Sequence, residues 1–106
     1  MIKCYIDDSG RRTADVGGLP SNIKSFLEQD IQDDVGDCER IMRIIDEIRS
    51  GHCKKWEGNG NAHYILITEA NVIIENNYEE DFQNTNISLA NFRECMNDWK
   101  LFLEGH

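Results

Sequence analysis

Positive charge is scarce in this chain. Its 11 Lys and Arg residues stand against 20 Asp and Glu residues, which gives a formal net charge of −9 over 106 residues. Two long segments, Ser25–Glu39 and Trp56–Phe92, contain no Lys or Arg, and each contains six acidic residues. Such a surface repels nucleic acid and anionic membranes and attracts positively charged molecules. We therefore predict no direct nucleic-acid or membrane binding, and a basic protein as the partner.

Long apolar runs are also missing. The longest are four or five residues, far below the ~20 that a membrane helix requires. The first eight residues lack the apolar region of a signal peptide and already include Asp7 and Asp8. Aromatic residues are spread along most of the chain, which excludes a disordered acidic tail. We predict one cytoplasmic domain spanning residues 1–106.

Motifs for metal or cofactor binding are absent from the sequence. The four cysteines form no C-x-x-C pair, which favours small buried hydrophobes over zinc ligands or disulfides. The acidic run Asp30–Asp34 lacks the alternating acids and terminal Glu of a calcium loop. The loop Gly58–Asn61 lacks the Gly-Lys-Ser/Thr of a phosphate loop. We expect no metal and no cofactor.

Catalytic chemistry is equally sparse. Nucleophilic catalysis needs a nucleophile, a base and an orienting group that converge in space. The sequence offers only one alternative of this kind, a Cys53–His63 pair meeting across a hairpin. The paired carboxylates are adjacent in sequence and lie in polar surroundings, unlike the acid pairs of glycosidases. We predict that the protein is not an enzyme.

Strand signals occur in both halves of the chain. Residues 2–7 and 11–16 flank a turn at Asp8-Ser9-Gly10, which predicts a β-hairpin. Residues 52–57, 62–68 and 71–76 follow as three further strands. The last two are apolar on both faces, which predicts a central strand pair covered at least partly on both sides.

Helices are predicted from capping residues followed by apolar stripes. The first begins at the N-cap Ser21, the second at the N-cap Asp37 and the third at the N-cap Ser88. Ile87 and Phe92 occupy the positions of a hydrophobic staple around Ser88. The order is then β-β-α-α-β-β-β-α, an α+β domain with an antiparallel sheet of about five strands and three helices packed on it.

A series of landmarks runs through the second half of the chain. A helix ends in Ile-x-x-Gly at Ile48–Gly51, and the aromatic residue Trp56 and the glycine Gly58 follow. A strand hairpin comes next, with Val72–Asn76 as its second strand. Ile87-Ser88-Leu89 then opens a helix that contains Phe92, Trp99 and Phe102-Leu103. With these landmarks, the region from about Ile41 to Leu103 resembles the small immunity proteins of bacterial contact-dependent growth inhibition systems. It also resembles a related group of small uncharacterised bacterial proteins.

This resemblance implies a non-enzymatic antitoxin that stays in the cytoplasm of the producing cell. Such a protein binds and neutralises a toxin domain delivered by sibling cells, commonly an RNase (a tRNase, for example) or a DNase. The charge points the same way, because a nuclease presents Lys and Arg to phosphates and an acidic inhibitor can mask that surface or the active site. The alternative is an acidic adaptor that inhibits a basic nucleic-acid-binding protein without any toxin.

The residues expected to contact the partner fall into two acidic groups. Both lie in segments without a compensating base, and the second includes an aromatic residue that could anchor an interface. The first group is Asp30, Asp33, Asp34 and Asp37, and the second is Tyr78, Glu79, Glu80 and Asp81.

Overall fold

The strands form two antiparallel sheets in a computed structural model of the chain. The structure describes residues 2–77 and 85–105. Strands β1 and β2 form a separate hairpin, and strands β3 to β6 form a four-stranded sheet in sequential order. The strands are β1 (Lys3–Ile6), β2 (Arg12–Asp15), β3 (Lys55–Asn59), β4 (His63–Thr68), β5 (Val72–Asn76) and β6 (Thr85–Ile87). The predicted α+β class is confirmed, and β6 is a strand that the sequence analysis did not predict.

Three α-helices occur within the described residues, together with one π-helical turn. They are α1 (Ser21–Phe26), the π-turn (Leu27–Ile31), α2 (Val35–Arg49) and α3 (Leu89–Gly105). Helix α3 confirms the prediction at Ser88, whose Oγ accepts a 3.2 Å hydrogen bond from Asn91 N. No helix of residues 2–77 and 85–105 has the length and apolarity to cross a bilayer.

Two helix starts differ from the predictions. Ser21 is the first residue of α1, and Pro20 before it makes no side-chain capping bond. Asp34, not Asp37, is the N-cap of α2, since its carboxylate accepts the backbone N–H of Asp37 at 3.1 Å. Asp37 then lies in the first turn of α2, where a negative charge favours the helix dipole.

The core lies between the helices and one face of the four-stranded sheet. On β4 and β5 every second side chain is buried, including Ile65, Ile67, Val72 and Ile74. The intervening side chains Tyr64, Leu66 and Ile73 are half-exposed on the opposite face. This alternation is typical of an antiparallel sheet that is covered by helices on one side. The central strand pair is therefore as predicted, while its second face is only half-buried.

Candidate functional site

Acidic side chains gather where the π-turn meets α2. We call Asp33, Asp34 and Asp37 the acidic corner. They line an open depression of about 720 Å³ together with residues 30–32, 35, 36 and Asn61 of the β3–β4 turn. No Lys or Arg lines this depression among the residues that the structure describes. The corner therefore presents three carboxylates to solvent around a single concave surface.

The three carboxylates make local contacts that contribute little to the stability of the fold. Asp33 lies 3.1 Å from Arg12 of β2, with 70% of its side chain exposed. Asp34 caps α2, and Asp37 lies 3.5 Å from Arg40 one turn along the same helix. Exposed ion pairs contribute little to stability, so these groups remain available to a cationic partner.

The backbone of the corner is held in an unusual conformation. Gln32 ends the π-turn with φ 56° and ψ −126°, which is unfavourable for a residue with a Cβ. Its N–H donates to Leu27 O at 2.8 Å, and its carbonyl oxygen accepts a 2.9 Å hydrogen bond from Trp99 Nε1. Trp99 is fully buried in α3. The core thus fixes the peptide immediately before Asp33.

Asp30, the fourth acid predicted for this surface, points into the protein instead. Only 3% of its side chain is exposed. Oδ1 accepts the backbone N–H of Ala62 at 2.8 Å, and Oδ2 accepts the backbone N–H and lies near Nδ1 of His63, at 3.1 and 3.2 Å. Asp30 therefore ties the π-turn to the β3–β4 turn, and so supports the floor of the depression.

The buried network continues from His63 to α1. Nδ1 of His63 lies 3.2 Å from the Asp30 carboxylate, and Nε2 lies 2.7 Å from Ser25 Oγ. The order Ser25, His63, Asp30 is that of a nucleophilic triad. The His63 side chain, however, is fully buried, and Phe26 packs edge-on against its ring at 6.1 Å. A hydrolase histidine must reach the leaving group, so this burial favours a structural role.

The Cys53–His63 pair does not form. Cys53 precedes β3, whose first residue Lys55 pairs with Thr68 at the far end of β4 from His63. Five residue steps along a strand span about 17 Å. Both ring nitrogens of His63 are engaged by Ser25 and Asp30. The arrangement considered in the sequence analysis is therefore absent from the fold.

Two of the four cysteines, Cys38 and Cys95, are buried as predicted, while Cys4 and Cys53 are half-buried. Burial raises the pKa of Cys4 to about 11, and nearby Asp98 raises it further. Burial, with Asp98 again adding to it, raises the pKa of Cys95 to about 11. Burial, together with Asp37 and Asp34, raises the pKa of Cys38 to about 12. No group of three His, Cys, Asp or Glu residues suited to a metal ion occurs within residues 2–77 and 85–105.

The second predicted group, Tyr78, Glu79, Glu80 and Asp81, lies outside the described residues. Asn77 is the last described residue before it. Asn77 N donates to Ala62 O at 2.8 Å, and its side chain reaches Asn59 Oδ1 at 3.4 Å. Asn61, between these two acceptors in sequence, lines the depression of the acidic corner. Asn77 therefore lies against the β3–β4 turn, which also borders the acidic corner.

A further surface was missed by sequence reasoning. Strand register places Tyr64, Leu66 and Ile73 together on the side of the sheet away from the helices, with Glu57 opposite Leu66 and Glu75 opposite Tyr64. We call these five residues the outer sheet face. Tyr64 Oη donates a 2.7 Å hydrogen bond to Glu57. That bond lowers the pKa of the Glu57 carboxyl and raises the pKa of Tyr64.

Comparisons of the chain with protein-family models, with curated proteins and with solved structures each find no match.

Proposed function

We propose that this chain is an immunity protein that works in the bacterial cytoplasm. It binds the basic nuclease domain of a contact-dependent growth inhibition toxin and masks its active site or its substrate surface. The protein acts by binding alone, without a metal, a cofactor or a catalytic residue of its own.

The observation that carries the proposal is the acidic corner. Three carboxylates line one depression that no described Lys or Arg lines, and Asp33 and Asp37 meet Arg12 and Arg40 only in surface ion pairs, in a chain of net charge −9. Like charges gathered on one surface oppose folding, and the backbone beside them is strained at Gln32. Strain of this kind tends to occur where function requires a particular geometry.

The charge pattern also suits the proposed partner. A nuclease holds its substrate through Lys and Arg contacts to phosphates. Carboxylates in a fixed arrangement can take the place of those phosphates, and the opposite charges steer the two proteins together. Steered association reaches about 10⁸–10⁹ M⁻¹s⁻¹ at low salt, against about 10⁵–10⁶ M⁻¹s⁻¹ without steering. Rapid capture is useful when few toxin molecules can kill a cell.

The test first asks whether a basic nuclease domain is encoded beside this chain's gene, because its absence would contradict the proposal, and then uses that domain. We expect the wild-type chain to protect cells that express the nuclease and to inhibit it stoichiometrically in vitro. The corner variant combines Asp33→Asn, Asp34→Asn and Asp37→Asn; Asn at position 34 still caps α2. We expect its association rate to fall about tenfold at low salt, with a shallower dependence on salt.

A matched control separates local charge from total charge. Asp8→Asn, Glu47→Gln and Glu69→Gln remove three exposed carboxylates elsewhere, so both triple variants raise the net charge by the same amount. The corner variant must lose more association rate than this control. Equal rates would show that the corner is not a contact surface, and a wild-type chain that neither protects nor inhibits would refute the immunity function itself.

A further inference from the structure

The outer sheet face has an apolar centre that the helices of the described residues do not cover. The helices cover the inner side of the sheet, where Ile65 and Ile74 are buried. On the outer side, Tyr64, Leu66 and Ile73 stay half-exposed. Leu66 pairs directly with Ile73 across β4 and β5, the two central strands. The solvated face of an antiparallel sheet is usually polar, so this composition points to contact with another molecule.

The rim of this face is polar and mainly acidic. Glu57 and Glu75 flank Tyr64, and the amide of Asn86 lies across from Ile73. Lys55 also lies on this side of the sheet, 3.6 Å from Glu57. An apolar centre within a polar rim is the usual anatomy of a protein interface, and the two glutamates favour a partner with basic residues around its apolar contact.

Tyr64 is suited to anchor such a contact. Its ring lies on a central strand, and its hydroxyl is held 2.7 Å from Glu57. An aromatic side chain that is already fixed loses little conformational freedom on binding, and tyrosine is among the residues that dominate interface energies.

Charge decides between the two plausible occupants of this face. A second copy of the chain would bring another net charge of −9 and would set Glu57 and Glu75 against acidic residues of the same kind. Like charges in direct opposition are costly. A basic protein meets the same rim with favourable interactions.

The outer sheet face and the acidic corner meet at the β3–β4 turn. Asn61 of this turn lines the corner depression. Asn59, where β3 enters the turn, pairs with Tyr64 on the outer face. One partner that extends across the turn can therefore contact both surfaces.

We propose that the outer sheet face is a second contact surface for the same basic nuclease domain, and that it receives an apolar side chain of the nuclease that is surrounded by Lys or Arg. This inference rests on the proposed immunity function. The two surfaces differ in their kinetic contribution: the acidic corner accelerates association, and the outer sheet face slows dissociation through apolar burial.

The experiment measures binding kinetics of the full chain with the basic nuclease domain identified in the test of the proposed function. The face variant combines Leu66→Thr and Ile73→Thr, which remove apolar contact without changing charge or losing β-branching at position 73. We expect its dissociation rate to rise at least tenfold, with the association rate and salt dependence unchanged. Tyr64→Phe, which removes only the hydroxyl bonded to Glu57, should raise the dissociation rate by a smaller factor.

The matched control is Tyr5→Thr with Ile6→Thr. These apolar residues of β1 are 48% and 49% exposed and belong to the other sheet. Urea midpoints confirm that each variant is folded. The proposal is overturned if the face variant dissociates at the same rate as the control. It is also overturned if the wild-type chain forms a dimer in sedimentation velocity and the face variant does not.

The outcomes separate this inference from the proposed function. If the wild-type chain inhibits the nuclease and the face variant binds equally well, the outer sheet face is not a contact surface and the immunity function stands. If the wild-type chain does not bind the nuclease, the immunity function fails and this inference fails with it.

Discussion

Trp99 Nε1 donates a hydrogen bond of 2.9 Å to the carbonyl oxygen of Gln32. Trp99 is the largest fully buried side chain of the described core. Gln32 is exposed and has a positive φ of 56°. Because this bond joins α3 to the residue before Asp33, the core determines where the acidic corner lies. The peptide that precedes Asp33 is therefore positioned by the core.

Gln32→Gly should stabilise the protein. Glycine adopts positive φ without steric cost, so the substitution relieves backbone strain, while it loses the 2.7 Å bond from Gln32 Nε2 to Gln29 O. We expect the free energy of unfolding to rise by about 0.5–1 kcal/mol in urea denaturation. Gln29→Gly, at an exposed position of the π-turn with negative φ, is the control and should lower it by about the same amount. A destabilised Gln32→Gly would mean that no strain is stored there.

Asp30→Ala should destabilise the protein strongly. The substitution leaves the backbone N–H groups of Ala62 and His63, and the His63 side chain, without their acceptor. We expect a loss of about 3 kcal/mol in the free energy of unfolding. Asp33→Ala removes an acid with a 70% exposed side chain and should change it by no more than about 0.5 kcal/mol. Equal losses would contradict the buried role of Asp30.

Gly60→Ala should be destabilising for a related reason. A Cβ at Gly60 would overlap the Asp30 carboxylate, which is fixed by the bonds just described. We expect a loss of about 1–3 kcal/mol, in the range of overpacked sites. Gly18→Ala, where a Cβ meets nothing within 4 Å, is the matched control and should be nearly neutral. Thermal unfolding followed by circular dichroism measures both.

Glu28 should make stability depend on pH in the acid range. Burial raises the pKa of this carboxyl, but hydrogen bonds from Lys24 Nζ, Thr13 Oγ1 and Ala14 N outweigh it, and the pKa lies below its usual 4.5. The resulting stability is complete above the unfolded pKa and is lost as pH falls through the lower folded pKa. We therefore expect Glu28→Gln to lose about 1–2 kcal/mol at neutral pH and to converge on wild type as the pH falls from the usual 4.5 through the lower folded pKa of Glu28.

The matched control for Glu28→Gln is Glu69→Gln, at an exposed loop position. Its free energy of unfolding should change with pH in the same way as that of wild type. Urea unfolding at several pH values measures all three proteins. A constant difference between wild type and Glu28→Gln down to low pH would contradict the role assigned to the Lys24–Glu28 contact at 2.7 Å.

The thiols should differ in reactivity. Cys4, Cys38 and Cys95 have pKa values raised to about 11 or 12 by burial, and the thiolate is the reactive form. Cys53 is half-exposed and should be modified first by iodoacetamide at neutral pH, as followed by peptide mass spectrometry. All four should react in urea. Rapid modification of Cys38 in the native protein would show that its burial is incomplete.

Local signals were sufficient to predict much of the fold. Ser88 predicted α3 because an N-cap side chain acts on the next turn, and apolar residues on both faces of β4 and β5 identified the central strands. Asp37 was wrongly taken as the cap of α2, since Asp34 offers the same chemistry three residues earlier. A residue can act as N-cap only where its backbone takes an extended conformation. Here the π-turn before α2 determines that this residue is Asp34, and the π-turn itself depends on tertiary contacts.

The candidate site was harder to predict. Asp30 lies on the apolar stripe of Phe26, Leu27 and Ile31, and His63 lies on the buried side of β4. An acid and a histidine on two buried faces were a signal for a pair, but its geometry required the packing of the π-turn on the β3–β4 turn. The outer sheet face was hard to predict for a similar reason, because apolar residues on both sides of β4 do not reveal whether the second side is covered.

The division between Asp30 and the acidic corner has a consequence for how this surface can evolve. Asp30 satisfies three buried donors, so most replacements there would cost the fold itself. Within the described residues, Asp33 and Asp37 make surface ion pairs with Arg12 and Arg40, and acids of this kind can be exchanged with little loss of stability. The charges of the acidic corner can therefore change one residue at a time, while the scaffold beneath it stays unchanged.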